Sequence, residues 1–161
     1  MAAATATNNA LWSLYASGIQ GGTLASFAAN ITSHLNNAMR GAGIYPTVIC
    51  INYGVNDIVQ GTTANYEANY LTAVDAIHAR WPDALIYISK VWSQGNDTIC
   101  DTLATKVDNV IAARSFTRLA DDERVWLKGA DNGATMTTDG VHYSVAGQAE
   151  KLNQMKTVLG Y

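Results

Sequence analysis

The segment TVICINYGVND, residues 47–57, carries most of the information about the fold. Its first six residues form a continuous run rich in β-branched side chains, which is the pattern of a strand buried on both faces of a sheet. Strands of this kind occur in parallel sheets that helices cover on both sides. The segment therefore predicts an α/β protein in which a polar loop, Gly54-Val55-Asn56-Asp57, directly follows a buried strand.

The alternation of strands and helices continues on both sides of this segment. Short apolar runs predict the strands, and apolar residues at 3- and 4-residue spacing predict the helices. The predicted strands are residues 11–16, 47–52, 84–91 and 124–127. The predicted helices begin near Thr23, Tyr66, Ile99 and Val145, the second ending at Pro82 and the last having Ser144 as its N-cap.

Strands that alternate with helices predict a three-layer α/β/α fold with a parallel sheet. Sites in such folds form in the loops beyond the carboxyl ends of the strands. Segments 18–22, 54–57 and 128–143 are polar or glycine-rich and each follows a predicted strand. We therefore expect all three segments to lie at one edge of the sheet.

Length and composition indicate one globular domain spanning residues 1–161, with 48% apolar and 14% charged residues. The net charge of −3 and the lack of a basic run argue against a nucleic-acid partner. No segment approaches the roughly 20 apolar residues of a membrane span. The first residues lack the features of a signal peptide, so the localisation stays open.

The two cysteines, Cys50 and Cys100, are far apart and have no metal-binding spacing, so no metal is expected. Cys50 lies in an apolar run, which favours a buried free thiol. Whether the two cysteines pair stays open.

Asp139-Gly140-Val141-His142 contains a carboxylate three residues before a histidine, in a glycine-containing turn. A carboxylate at this position can accept a hydrogen bond from the Nδ1–H group of the imidazole, which leaves Nε2 free to act as a general base. The alternative is a surface turn with unrelated polar residues.

Asn56 and the glycines at residues 21 and 22 are candidates for stabilising an oxyanion. A side-chain amide after a strand, and a backbone N–H group in a glycine turn, are donors that such a site needs to have in place beforehand. Each segment alone is equally consistent with an ordinary turn of an α/β protein.

Together the three segments resemble the SGNH (GDSL-type) hydrolases, a family of esterases and lipases. The resemblance implies a flavodoxin-like sheet, Gly21 and Asn56 as oxyanion donors, and Asp139 with His142 as the acid–base pair. It implies no cofactor. It also implies a small acyl ester as the substrate, for example an acetylated carbohydrate. Independently of the resemblance, Trp92 and Tyr143 could line an acyl or sugar pocket, the alternative being that these aromatic residues contribute to packing.

The family's Gly-Asp-Ser block, which carries the nucleophile, does not occur in the sequence. Ser17 follows a predicted strand and is the fallback nucleophile. The resemblance implies that the family's first strand, which is central in the sheet, is missing, so the domain resembles an N-terminally truncated member. An open position in the sheet predicts a homo-oligomer or a strand-swapped assembly. The alternative function is a catalytically inactive homologue that serves as a binding or assembly module.

Overall fold

The computed structural model describes residues 21–38, 45–128 and 133–160. Within these ranges three parallel strands form one sheet in the order β1-β2-β3. The strands are β1 (Val48–Ile51), β2 (Leu85–Lys90) and β3 (Thr117–Asp122). The predicted α/β class with a parallel sheet is confirmed.

Helices flank the sheet on both faces. In the described ranges they are α1 (Leu24–Ala29), α2 (Ile31–Ala38), α3 (Val55–Gln60), α4 (Tyr66–Arg80), α5 (Asp97–Ala113), α6 (Glu123–Leu127) and α7 (Val145–Leu159). Ser89 of β2 accepts a hydrogen bond from Lys151 of α7, whereas its neighbour Lys90 pairs with Asp108 of α5. Because successive strand residues point to opposite faces, α5 and α7 cover opposite sides of the sheet.

The core lies between the sheet and the packed helices α1, α4 and α5. Tyr70 and Val74 of α4, with Ile86 and Ile88 of β2, are completely buried there. The apolar spacing in the sequence predicted these positions of α4 correctly. None of the helices in the described ranges combines the length and the apolar character that crossing a bilayer requires.

The predicted cap of the last helix is also confirmed. The Ser144 hydroxyl accepts a hydrogen bond from the Gly147 N–H group at 3.1 Å, which satisfies one of the free donors in the first turn of α7.

Two element predictions were wrong. Residues 124–127 are not a strand but part of α6, because the Asp122 carboxylate accepts a hydrogen bond from the Arg124 N–H group and so caps a helix. The third strand is instead β3, which has no apolar pattern because two of its buried residues, Thr117 and Asp121, are polar. The helix that begins at Thr23 is divided at Asn30 into α1 and α2. The predicted strand at residues 11–16 lies outside the described residues.

The predictions for β1 and for Cys50 need correction as well. Ile51 is buried, but Cys50, which points to the opposite face of β1, is exposed, so the strand is not buried on both faces. Cys100 of α5 is buried, and both cysteines are free thiols.

Candidate active site

Asp139 and His142 lie in a tight turn between two short extended segments. Thr137 and Tyr143 form an antiparallel bridge, and the Thr138 N–H group donates to the His142 carbonyl at 2.8 Å. Gly140 takes a positive φ of 81°, a conformation that glycine adopts without strain. The turn therefore brings the two side chains to the same side.

The Asp139 carboxylate contacts both the backbone and the ring of His142. Its Oδ1 atom accepts hydrogen bonds from the N–H groups of Val141 at 3.0 Å and His142 at 2.8 Å. Its Oδ2 atom lies 2.7 Å from His142 Nδ1. These bonds, first that of the His142 N–H group and then that of the ring, lower the pKa of Asp139 to about 2. Both side chains are exposed, so Nε2 of the imidazole is accessible from solvent.

The loop that follows β2 fixes the position of this turn. The Gln94 N–H group donates to the Gly140 carbonyl at 3.0 Å. A Cβ atom on Gly140 would lie 2.5 Å from the Gln94 side-chain oxygen, so the two segments approach closely only because residue 140 is glycine. The turn with Asp139 and His142 thus lies at the carboxyl end of β2.

Asn56 and the glycine turn contact each other at the carboxyl end of β1. Asn56 lies in the first turn of α3, and its Nδ2 group donates to the Gly22 carbonyl at 3.0 Å. The Gln60 side chain donates to the Gly21 carbonyl at 2.9 Å. The glycine turn therefore packs against α3, with Gly21 exposed at a positive φ of 68°.

Asp57, beside Asn56, joins α3 to α1. Its buried carboxylate accepts hydrogen bonds from the Leu24 N–H group at 2.8 Å and from the Thr62 hydroxyl. Burial raises the pKa of Asp57, and the bond from Leu24 opposes this effect. Asp57 thus holds the glycine turn and Asn56 in a fixed relation, a role that the sequence did not reveal.

Two tyrosines of α4 fix the backbone just before α3. The hydroxyls of Tyr66 and Tyr70 donate to the Tyr53 carbonyl at 2.6 and 3.1 Å. Gly54 takes a φ of 138°, and a Cβ atom there would lie 2.4 Å from the Tyr66 hydroxyl. This packing sets where α3 begins and therefore where the Asn56 side chain lies.

A hydrogen-bond network around the buried Glu123 carboxylate connects the His142 turn with the carboxyl end of β1. Tyr143 donates its hydroxyl to the Glu123 carboxylate, and the Asn52 side chain contacts both the Tyr143 hydroxyl at 3.1 Å and Glu123 at 2.9 Å. Burial, together with the charge of Glu123, raises the pKa of Tyr143. Asn52 directly follows β1, so the Asp139–His142 pair and the Asn56–Gly22 pair lie at the same edge of the sheet.

Two further candidates from the sequence remain, Ser17 and Trp92. Ser17 lies outside the described residues. Trp92 is buried, with its indole N–H group donating to Asp97, so it lines no open pocket. Among residues 21–38, 45–128 and 133–160, no three His, Cys, Asp or Glu side chains are grouped as metal ligands.

No motif in the sequence pointed to Asn52, Glu123 or Lys151. Glu123 is completely buried, and the acidic run of residues 121–123, where β3 ends and α6 begins, is a signal that could have indicated a buried polar group. Lys151 gave no local signal, because it lies on α7 and reaches Glu123 only through the tertiary fold.

The comparisons with solved structures give the same fold. A carbohydrate esterase family 3 structure from Talaromyces cellulolyticus is 18% identical, with a TM-score of 0.68 over 86% of this chain and 67% of that one. An acetyl esterase mutant S10A with acetate ion has the same values. TesA is 20% identical, with a TM-score of 0.64 over 85% of this chain and 72% of that one.

The chain has the fold of these esterase structures. No family model matches its sequence, and a search of curated proteins found no match. At identities of 18–20% the likeness establishes the fold alone, so the chemistry has to be argued from the site.

Proposed function

We propose that this protein is an SGNH-type carboxylic ester hydrolase acting on small acyl esters, with acetylated carbohydrates as the substrate class. The observation that carries the proposal is the contact of 2.7 Å between Asp139 and His142, at the same sheet edge as Asn56 and the glycine turn. The fold that the chain shares with an acetyl esterase supports the choice of substrate class.

In this mechanism a serine hydroxyl attacks the ester carbonyl while His142 Nε2 takes its proton. Asp139 holds the ring through Nδ1 and stabilises the imidazolium that forms. The proton then passes to the departing alcohol, and water releases the acyl group from the serine by the reverse sequence. Within this chain Ser17 is the proposed nucleophile.

The oxyanion that forms in each step needs fixed donors. One N–H bond of the Asn56 amide is directed at the Gly22 carbonyl, which holds the amide in place and leaves its second N–H bond for the substrate oxygen. The Gly21 backbone N–H group is the proposed second donor. Such preorganised donors contribute roughly 3 kcal/mol each to transition-state stabilisation.

Hydrolysis of p-nitrophenyl acetate tests the proposal. We expect His142→Ala and Ser17→Ala each to lower kcat/KM by at least about 100-fold, because each removes a group that reacts directly. Ser33→Ala, which removes an exposed hydroxyl from α2, is the matched control and should leave turnover unchanged. Equal, background turnover by the unchanged protein and by His142→Ala would favour an inactive binding or assembly module.

We propose, in addition, that residues 1–161 form one domain that self-associates. Among the described residues, β1 has hydrogen-bond partners along one edge only, in β2. An unpaired strand edge is a template for pairing with another chain, which supports a homo-oligomer or a swapped strand.

A further inference from the structure

A charged cluster with two buried carboxylates lies behind the His142 turn, and the mechanism above does not use it. We call Asp121, Glu123, Lys151 and Tyr143 the Glu123 cluster. Glu123 is completely buried and accepts hydrogen bonds from the Tyr143 hydroxyl, from Lys151 Nζ at 2.9 Å and from the Trp92 N–H group at 3.2 Å. Its carboxylate therefore has a partner on each of several different elements.

Lys151 connects this carboxylate to the sheet. Its ammonium group also contacts Asp121 at 2.8 Å and the Ser89 hydroxyl at 2.9 Å. The cluster thus spans β3, α6 and α7 and contacts β2 through Ser89, and one ammonium group lies between two buried carboxylates. Removing a single partner from such a buried arrangement is strongly unfavourable, so the Glu123 carboxylate is a rigid acceptor.

Tyr143 connects the Glu123 carboxylate to the Asp139–His142 pair. It follows His142 directly, its ring packs beside Trp126 with centroids 5.8 Å apart, and its hydroxyl ends on Glu123. The side chain of His142 is 78% exposed and that of Asp139 is 53% exposed, so packing contributes little to holding either one. Tyr143, the partly buried side chain next in sequence, is therefore an anchor of their turn, in addition to the contact between Gly140 and Gln94.

We propose that Tyr143 is a positioning residue that holds the Asp139–His142 pair in place through its hydrogen bond to Glu123. As a statement about catalysis, this inference rests on the proposed function. The physical reason is that the reacting groups of an enzyme tolerate little displacement, a shift of about 1 Å lowering the rate by about 100-fold.

Tyr143→Phe tests the inference, because it removes the hydroxyl and keeps the ring. The first readout does not require activity: the ¹⁵N and ¹H NMR signals of the His142 ring report whether one tautomer, with Nδ1–H bonded to Asp139, is held. We expect one fixed tautomer in the unchanged protein and two averaged nitrogen signals in Tyr143→Phe. The second readout is turnover, where kcat should fall by roughly 10- to 100-fold while KM changes little.

Tyr87→Phe is the matched control, since it removes a tyrosine hydroxyl from β2 and leaves the hydrogen bonds that join Glu123 to Tyr143, Lys151 and Trp92 in place. It should change neither readout. Asn52→Ala is the second variant, in case Tyr143→Phe does not fold. It removes an exposed side chain that donates to Tyr143 and to Glu123. We expect it to weaken the positioning of the His142 ring and therefore to average the two nitrogen signals, as in Tyr143→Phe.

The outcomes separate this inference from the proposed function. The positioning role of Tyr143 would be overturned if the His142 ring signals in Tyr143→Phe were the same as in the unchanged protein. If Tyr143→Phe does not fold, the same result in Asn52→Ala would overturn it. Absence of esterase turnover in the unchanged protein would overturn the proposed function, and the NMR readout would still decide whether Tyr143 holds the Asp139–His142 pair.

Discussion

Asp139 accepts three hydrogen bonds from within the turn that it begins, two from backbone N–H groups and one from the His142 ring. Its pKa of about 2 lies below the ordinary value of 3.8. A carboxylate whose pKa is lower in the folded state stabilises that state above the unfolded pKa. This contribution is lost as the pH falls from about 4 through about 2.

We therefore predict that the Asp139 carboxyl titrates with a midpoint of about 2 in a ¹³C NMR titration. In His142→Ala the midpoint should rise but stay below 3.8, because the N–H groups of residues 141 and 142 remain as donors. A midpoint at the ordinary value in the unchanged protein would mean that the turn is not formed in solution.

Asp57 shows the opposite effect, since burial raises its pKa above 3.8. A raised folded-state pKa means that this group contributes less stability as the pH rises from the unfolded value to the folded one. The Asp57 side chain nevertheless stabilises the folded state, because it accepts a hydrogen bond from the Leu24 N–H group.

We predict that Asp57→Ala lowers the free energy of unfolding by about 1–3 kcal/mol, because a buried N–H group loses its acceptor. Asp57→Asn keeps an amide oxygen for Leu24 and should lose less. It should also remove the part of the pH dependence that comes from Asp57. Urea denaturation at pH 4 and pH 7 measures both effects, and equal losses in the two variants would contradict the role assigned to the Leu24 bond.

At the scale of elements, α7 packs against the loop that leads into the His142 turn. A Cβ atom on Gly147 would lie 2.0 Å from the Met136 carbonyl oxygen, and the Met136 carbonyl also accepts from the Ser144 N–H group at 2.9 Å. The first turn of α7 and the loop are therefore in contact through backbone atoms, which cannot move aside as a flexible side chain can.

We predict that Gly147→Ala destabilises the protein by about 1–3 kcal/mol or more, through overpacking. A thermal unfolding scan should show the lower Tm. Ala149→Ser changes an exposed position of the same helix and should stay within about 0.5 kcal/mol of the unchanged protein. A Gly147→Ala variant as stable as this control would show that α7 can shift away from the loop.

The elements that the sequence predicted well are those with a strong local pattern. Helix α4 shows buried residues at helical spacing and ends before Pro82. Helix α6 was missed because it is short and its start depends on the Asp122 cap rather than on apolar spacing.

At the scale of the whole molecule, the strand order leaves one edge of β1 without a partner among the described residues. Cys50 is exposed on β1, the strand that lies at the end of the described sheet. A strand edge that is flat and uncharged favours pairing between chains, and a lysine on such a strand opposes it.

We predict that sedimentation velocity under reducing conditions shows species heavier than the 17.2 kDa chain, in a proportion that grows with concentration. Cys50→Lys should decrease that proportion, because it places a charge on β1. Ser33→Lys adds the same charge on α2 and should not. A protein that sediments at the mass of one chain at every concentration would rule out self-association.

The sequence by itself determined the α/β class, the long helices and the turn that joins Asp139 to His142. These features depend on apolar spacing or on hydrogen bonds between residues three positions apart, which are local properties of the chain. The tertiary structure alone decided that Asn56 contacts Gly22, 34 residues away, and that Asn52 contacts Tyr143, 91 residues away. Such contacts depend on strand order and register, because only the assembled sheet brings the ends of its strands together.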